Sequence, residues 1–236
     1  MYWDWEFRFL NWIQDHMRSG FMDKFMSFIT KFGDGGIFWI IVTLCLFIPK
    51  RTRKYAHVSA LALIFCVVGG NLILKNVIAR QRPFWINNFN PLARIAYTEK
   101  NGVLTYLKTH NVTTDSIEEG RTLIKLLVKA PNDYCFPSGH TQASFAAATS
   151  ICMWNRKWGI PALILAAFVA FSRMYLYVHY PTDILGGLFF GLLYAFLALA
   201  ICNKLFRNKD WDGCQGAIRA AHDAEKADRK KTAKVH

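Results

Sequence analysis

Acidic residues are scarce in this chain: 16 Asp and Glu stand against 29 Lys and Arg, a formal net charge of +13 over 236 residues. No carboxylate cluster of the kind that holds two catalytic metal ions can be picked out. There are six cysteines but no CxxC pair, which indicates neither a zinc site nor a disulfide framework. Cys45, Cys66, Cys152 and Cys202 fall inside apolar runs and read as small buried hydrophobes, while Cys135 and Cys214 are loop or tail candidates. The N-terminus has no charged stretch followed by an apolar core, so a cleavable signal peptide is not expected. Internal repeats are absent as well. Zinc-finger and RNA-binding signatures are also missing, which argues against nucleic acid as the partner. The positive excess sits partly at the ends of apolar runs and in the last 33 residues, where membrane topology and attraction to anionic headgroups account for it.

What the chain does have is segregation. Hydrophobic residues make up 53% and aromatics 15%, gathered into runs separated by polar stretches. Runs at about 36–50, 56–78, 158–178 and 184–206 can each span or nearly span a bilayer, which takes roughly 20 residues. The run at 36–50 is short and must borrow neighbours on its N-terminal side. A fifth run, 139–154, is built of Ala, Ser and Thr and suits a helix inside a bundle. Gly187 and Gly191 form a small-xxx-small pair that also permits close helix contact. Residues 1–32 alternate tryptophan and phenylalanine with charge, the pattern of an amphipathic interfacial segment. The expected class is therefore all-α: a polytopic membrane bundle of about five transmembrane helices plus interfacial N-terminal helices.

Lys50, Arg51, Arg53 and Lys54, then Arg156 and Lys157, then Lys204, Arg207 and Lys209 fall on one side if five spans alternate. The positive-inside rule makes that side cytoplasmic and puts the long loop 79–137 and the turn at 179–183 outside. The long loop carries eight Lys and Arg of its own, which is tolerable because the rule weakens for long loops.

Three clusters stand at span ends on that outer side. The first is Lys75 followed by Arg82-Pro83, the second Pro137-Ser138-Gly139-His140, and the third Ser172-Arg173, His179 and Asp183. Charges at a hydrocarbon boundary are costly unless paired or hydrated, and mark functional sites by default. Lys75, Arg82 and Arg173 together prefer an anion with several oxygens, which the Arg fork matches bidentately. Ser138 and Gly139 open a span, where the positive helix end favours the same anion. Pro181 can start the last helix and place Asp183 in its first turn. From there the carboxylate can accept the Nδ1 proton of His179, leaving Nε2 free as a nucleophile. His140, on another helix, can protonate a leaving oxygen and then activate water. His16, His57 and His110 have no such company and read as structural. Lys75 or Arg82 alone would read as an anchor whose head reaches for the interface; Arg80 and Tyr180 read as bystanders.

The motifs KNVIARQRP at 75–83, PSGH at 137–140 and SRMYLYVHYPTD at 172–183 resemble those of the type 2 phosphatidic acid phosphatase family, membrane lipid phosphatases related to the vanadium haloperoxidases. The resemblance implies a cofactor-free hydrolase in which His179 attacks phosphorus and forms a phosphohistidine, Asp183 orients it, and His140 protonates the leaving group. Lys75, Arg82, Ser138, Gly139 and Arg173 then hold the phosphate. It implies a transmembrane phosphatase domain over 33–206 with an extracytoplasmic loop 84–134, between the segment 1–32 and a polar cytoplasmic tail 207–236. Bacterial members commonly have six spans, so five with an amphipathic N-terminus is a departure. So is the long insert between the first two motifs, whose 117–129 stretch reads as a short helix lying over the site mouth or, equally, as a packed surface loop. The expected partners are the bilayer and a lipid phosphate or pyrophosphate, undecaprenyl pyrophosphate first. Phosphatidylglycerol phosphate, phosphatidic acid and transfer to an acceptor other than water are the alternatives. The expected location is a bacterial-type plasma membrane with the site facing out. The motifs say nothing about oligomeric state.

Overall fold

Apolar positions three residues apart begin the chain and fold it into α1 (Asp4–His16), whose Phe7, Leu10 and Ile13 are fully buried. In the computed structural model, which describes residues 3–85, 92–100, 103–106 and 123–205, that face packs on protein: Phe84, Ala96, Tyr175, Tyr177 and Tyr180 share its cluster. Trp5 and Trp12, each 50% exposed, point away from it.

Ser19 caps α2 (Gly20–Ile29) by accepting the Met22 N–H at 3.2 Å. A 3₁₀ turn (Thr30–Gly36) joins α2 to α3 (Ile37–Leu46), with a kink at Asp34 (ψ 117°) and left-handed Gly35 and Gly36 (φ 58° and 69°). Positive φ is cheap only for glycine, so Gly35-Gly36 places the bend. The stretch Gly20–Leu46 is long and apolar enough to cross a membrane. The short 36–50 run thus borrows α2, and residues 20–32, expected in the interfacial segment, are continuous with it.

α4 (Arg53–Phe65) continues through a π-helix (Cys66–Leu74) into α5 (Lys75–Ile78). Where the ladder loosens, Gln142 donates to the Cys66 carbonyl at 2.9 Å. Ala79, left-handed at φ 47°, then ends α5 and turns the chain back toward the bundle. α6 (Gly139–Trp154), α7 (Arg156–Tyr175) and α8 (Pro181–Leu205) complete the helices.

Four stretches among the described residues are long and apolar enough to cross: Gly20–Leu46, Arg53–Trp85, Arg156–Tyr175 and Pro181–Leu205. The 16 residues of α6 reach only about 24 Å. This helix is the inner one, with Ser144, Ala146, Ala147, Ala148 and Ser150 buried and contacts to α4, α7 and α8. Small residues let it sit there: a Cβ on Gly187 or Gly191 would come within 2.8 Å of the Ser138 carbonyl or 2.7 Å of that of Gln142. Trp39 ties α3 to it by donating to Ser144 Oγ at 2.8 Å. Outward faces are apolar: Ile40, Leu44, Ile64, Val68, Phe189 and Phe196 are exposed, as a lipid solvent requires. The chain is a multi-pass membrane protein.

The insert corrects one expectation, the helix at 117–129. It adds a three-stranded sheet, order β2-β1-β3, to an otherwise helical chain, with β1 (Ile95–Lys100) antiparallel to β2 (Val103–Tyr106) and parallel to β3 (Leu123–Lys125). Of the stretch 117–129, expected as a helix, the described residues 123–125 are a strand and 126–129 are irregular. Its apolar run is short enough to suit either period, and Ile124 points inward between less buried neighbours. Residues 117–122, His110, Cys214 and the tail 207–236 lie outside the described residues. Cys66 and Cys202 are buried as expected, and Cys135 is buried too, whereas Cys45 is exposed on the outward side of α3. His16 and His57 each bond a backbone carbonyl four residues back, at 3.0 and 2.7 Å, consistent with a structural role.

Candidate active site

The three motif clusters meet at one end of the bundle, at the end of α5, the start of α6, the end of α7 and the start of α8. Proline opens α8 at Pro181, and Asp183 stands in its first turn. Asp183 Oδ2 lies 3.4 Å from His179 Nδ1 and accepts the Tyr180 N–H at 2.9 Å. On the other ring edge Arg82 Nη1 lies 3.2 Å from His179 Nε2. A guanidinium only donates, so Nε2 is the acceptor and the proton resides on Nδ1, toward Asp183. Ser138 and Asp183 are joined directly, the Ser138 N–H donating to the Asp183 carbonyl at 3.1 Å. That N–H is thus already used. Ser138 Oγ is buried and accepts from Thr141 Oγ1 at 3.0 Å. Gly139 packs against Asn71, where a Cβ would lie 2.9 Å from Oδ1.

Lys75 and Arg82 are both buried and converge on Asp133, which the sequence did not single out. Arg82 Nη2 reaches its Oδ1 at 2.5 Å and Lys75 pairs with Oδ2. Burial alone would raise the Asp133 carboxyl, but the Arg82 guanidinium and the Lys75 ammonium overrule it and hold it at about 2. Arg82 also donates to the Asp133 and Val178 carbonyls at 2.7 and 2.8 Å. His179 lies behind this arrangement, 1% exposed. Burial first, and then the positive charges of Arg82, Arg173 and Lys75, push its pKa well below the ordinary imidazole value.

Arg173 and His140 line a cleft of about 650 Å³ beside this group. Arg173 Nη1 donates to Thr30 Oγ1 at 2.6 Å, and His140 Nε2 lies 2.8 Å from Asp34 Oδ1. Both partners come from the kinked turn between α2 and α3. Gly33 in that turn leaves room for the His140 ring, since a Cβ there would lie 2.5 Å from Cδ2. Leu127–Asn132 of the insert, irregular in form, line the facing wall. Lys31 and Lys129 stand exposed on its rim. Among the described residues, no group of three or more His, Cys, Asp or Glu is placed to hold a metal ion.

Arg80 is no bystander. Its Nη1 donates to Asp183 Oδ1 and Thr182 Oγ1, each at 2.6 Å, and its Nη2 to Glu6 Oε2 at 2.5 Å. Its guanidinium lies over the Tyr180 ring, 4.2 Å from the centroid. Glu6, Thr30, Asp34 and Asp133 have no local motif to betray them; each is recognised only by the distant residue it touches.

The chain is similar to several known proteins. The undecaprenyl-diphosphatase of Sulfolobus acidocaldarius is 31% identical over 196 residues, covering 83% of this chain and 76% of that protein. Undecaprenyl-diphosphatase BcrC of Bacillus subtilis is 26% identical over 179 residues, 75% and 72% of the two chains. The crystal structure of a transmembrane PAP2 type phosphatidylglycerolphosphate phosphatase from Bacillus subtilis shares the fold at TM-score 0.57 and 22% identity, covering 86% of this chain and 87% of that one. Residues 53–207, which hold all three motifs, match the PAP2 superfamily. The chain belongs to that superfamily and is a membrane lipid phosphatase.

Proposed function

We propose that this chain removes a phosphate from a lipid diphosphate, undecaprenyl pyrophosphate first among candidates, at the outer face of a bacterial-type plasma membrane, with His179 as the nucleophile. The observation that carries the chemistry is the two-sided hold on the imidazole: Asp183 at Nδ1 and an Arg82 donor at Nε2. That arrangement leaves a lone pair on Nε2, aimed at the cations expected to hold phosphate. In the first step Nε2 forms a bond to phosphorus as the bond to the leaving oxygen breaks, and His140 delivers a proton to that oxygen. The ring becomes a phosphohistidine cation whose Nδ1–H faces Asp183. In the second step His140 takes a proton from water as the water oxygen attacks phosphorus, releasing inorganic phosphate and restoring Nε2. Lys75, Arg82 and Arg173 stabilise the charge on the phosphoryl oxygens in both steps.

Three observations support the substrate and side. Two of the relatives named above, those matched in sequence, are undecaprenyl-diphosphatases. Lys31 and Lys129 at the rim of the cleft offer a cationic seat to the second phosphate of a diphosphate. The site lies at the opposite end of the helices from the basic turns at 50–54 and 156–157, so the positive-inside rule sets it outside. Phosphate release by purified protein from undecaprenyl pyrophosphate, phosphatidylglycerol phosphate, phosphatidic acid and a lipid A analogue tests the reading. Undecaprenyl pyrophosphate should give the highest kcat/KM, and His179→Ala should release none. A preference for phosphatidylglycerol phosphate would move the substrate to the glycerolipids. Activity in His179→Ala would end the nucleophile assignment.

A further inference from the structure

Behind Asp183 lies a second buried layer of charge. Arg80 divides its guanidinium between two fully buried carboxylates, Asp183 at 2.6 Å and Glu6 at 2.5 Å. Glu6 Oε1 in turn accepts the Thr182 hydroxyl at 2.5 Å, and the same hydroxyl oxygen accepts from Arg80. Glu6, Thr182 and Arg80 thus close a ring of hydrogen bonds, joined through Arg80 to the carboxylate that faces His179. Glu6 belongs to α1, outside the three motif clusters. This helix is fastened to the segment carrying His179: Gln14 donates to the Tyr175 carbonyl at 2.6 Å, Tyr177 donates to Asn11 at 3.1 Å, and Phe7 meets the Tyr180 ring edge-on at 5.4 Å.

We propose that Glu6 is a positioning residue for Asp183, acting through Arg80, so that α1 is a working part of the active site as well as an interfacial helix. The proposal rests on the reading of His179 as nucleophile. With Asp183 as its only carboxylate, Arg80 would neutralise it and draw it away from the imidazole. Glu6 takes half of the guanidinium. The three ionised groups then sum to one negative charge, and the cationic ring of the phosphohistidine supplies the missing positive charge. Glu6 also fixes the direction from which Arg80 approaches, keeping Asp183 Oδ2 turned toward Nδ1. Left-handed Ala79, a strained conformation for a residue with a Cβ, sets the turn that delivers Arg80 to this place.

The test uses full-length protein purified in detergent, with phosphate release from undecaprenyl pyrophosphate and, in parallel, phosphatidic acid. Glu6→Gln keeps the size of the side chain and can still accept from Arg80, but removes the charge. We expect kcat to fall about ten-fold, with KM within about two-fold and an unchanged elution profile and melting midpoint, as when a partner behind an active histidine is lost. In an Asp183→Asn background Glu6→Gln should cost nothing further, because residues acting through one group are not additive. Arg80→Lys should keep part of the kcat that Arg80→Gln loses. If Arg80→Gln fails to fold, the Glu6→Gln cycle decides alone. Wild-type kcat in Glu6→Gln, a loss confined to KM, or an equal loss in the Asp183→Asn background would overturn the relay. A wild type inactive on both lipids, or an active His179→Ala, would instead sink the hydrolase reading and the relay with it.

Discussion

Each ring nitrogen of His179 has a partner, and the surrounding charge decides which protonation state the ring holds. Burial and the cations around it both oppose imidazolium, so the free enzyme carries a neutral ring at pH 7. The sign follows directly: a base whose pKa is lowered becomes protonated only at lower pH. kcat/KM, which reports the free enzyme, should therefore show no loss from protonation of His179 as the pH falls through 6.5; that loss should come only below it. An acid limb centred at or above 6.5 in a pH–rate profile would contradict this. Asp133 behaves in the opposite sense to a pH switch. Its folded pKa is depressed to about 2, so the contacts it makes are present at every ordinary assay pH and are lost only as the pH falls through that value. Those contacts engage Lys75 and Arg82, the cations assigned to phosphate, and an entering phosphoryl group must replace them. Asp133→Asn should free both cations and lower the inhibition constant for orthovanadate several-fold, because a neutral amide competes poorly with an oxyanion. Weaker inhibition would mean that Asp133 orients the cations instead of occupying them.

At the scale of elements, the kinked turn between α2 and α3 has the clearest consequence. It delivers Thr30 to Arg173 and Asp34 to His140, two contacts from one break in one helix. Gly33 permits the second by leaving space for the imidazole. Gly33→Ala should push the His140 ring out of place and lower kcat by up to about 100-fold without unfolding the bundle, since misplacement by about 1 Å is enough for such a loss. Normal kcat with an unaltered melting curve would show that the turn can yield. The π-helix before α5 has a comparable part, because it opens the Cys66 carbonyl to Gln142 and thereby ties the segment leading to Lys75 onto α6. None of this can be read from hydropathy, which sees the 56–78 run only as one uniform span.

For the whole molecule, apolar faces turned outward and a polar inner helix set the bundle in lipid, while α1, the sheet and the insert close one end over the site. The side on which that end emerges can be measured. A single cysteine at position 111 in a Cys-free variant should react with a membrane-impermeant thiol reagent on intact cells. Labelling only after rupture would put the insert, and the site beneath it, inside. Removing Cys66, Cys135 and Cys202 means replacing three buried side chains, so small replacements are needed.

How much of this was legible beforehand depends on how far apart in sequence the interacting residues lie. His179 and Asp183 are four residues apart at a helix start, so their pairing follows from local geometry, and spacing along the chain marks it together with the apolar spans, the basic turns and the proposed site residues. The partners of those residues lie much farther off: Asp34 is 106 positions from His140, Asp133 is 58 from Lys75, and Glu6 is 74 from Arg80. A carboxylate at such a distance has no periodicity or motif to mark it, and only the packing of α1, the kinked turn and the insert against the helix ends brings it within 3 Å. The proposed identity of the reacting groups rests on local spacing. Their protonation, their orientation and what occupies the cations before substrate arrives were decided by the tertiary structure, because desolvation and long-range ion pairing exist only once the chain is folded.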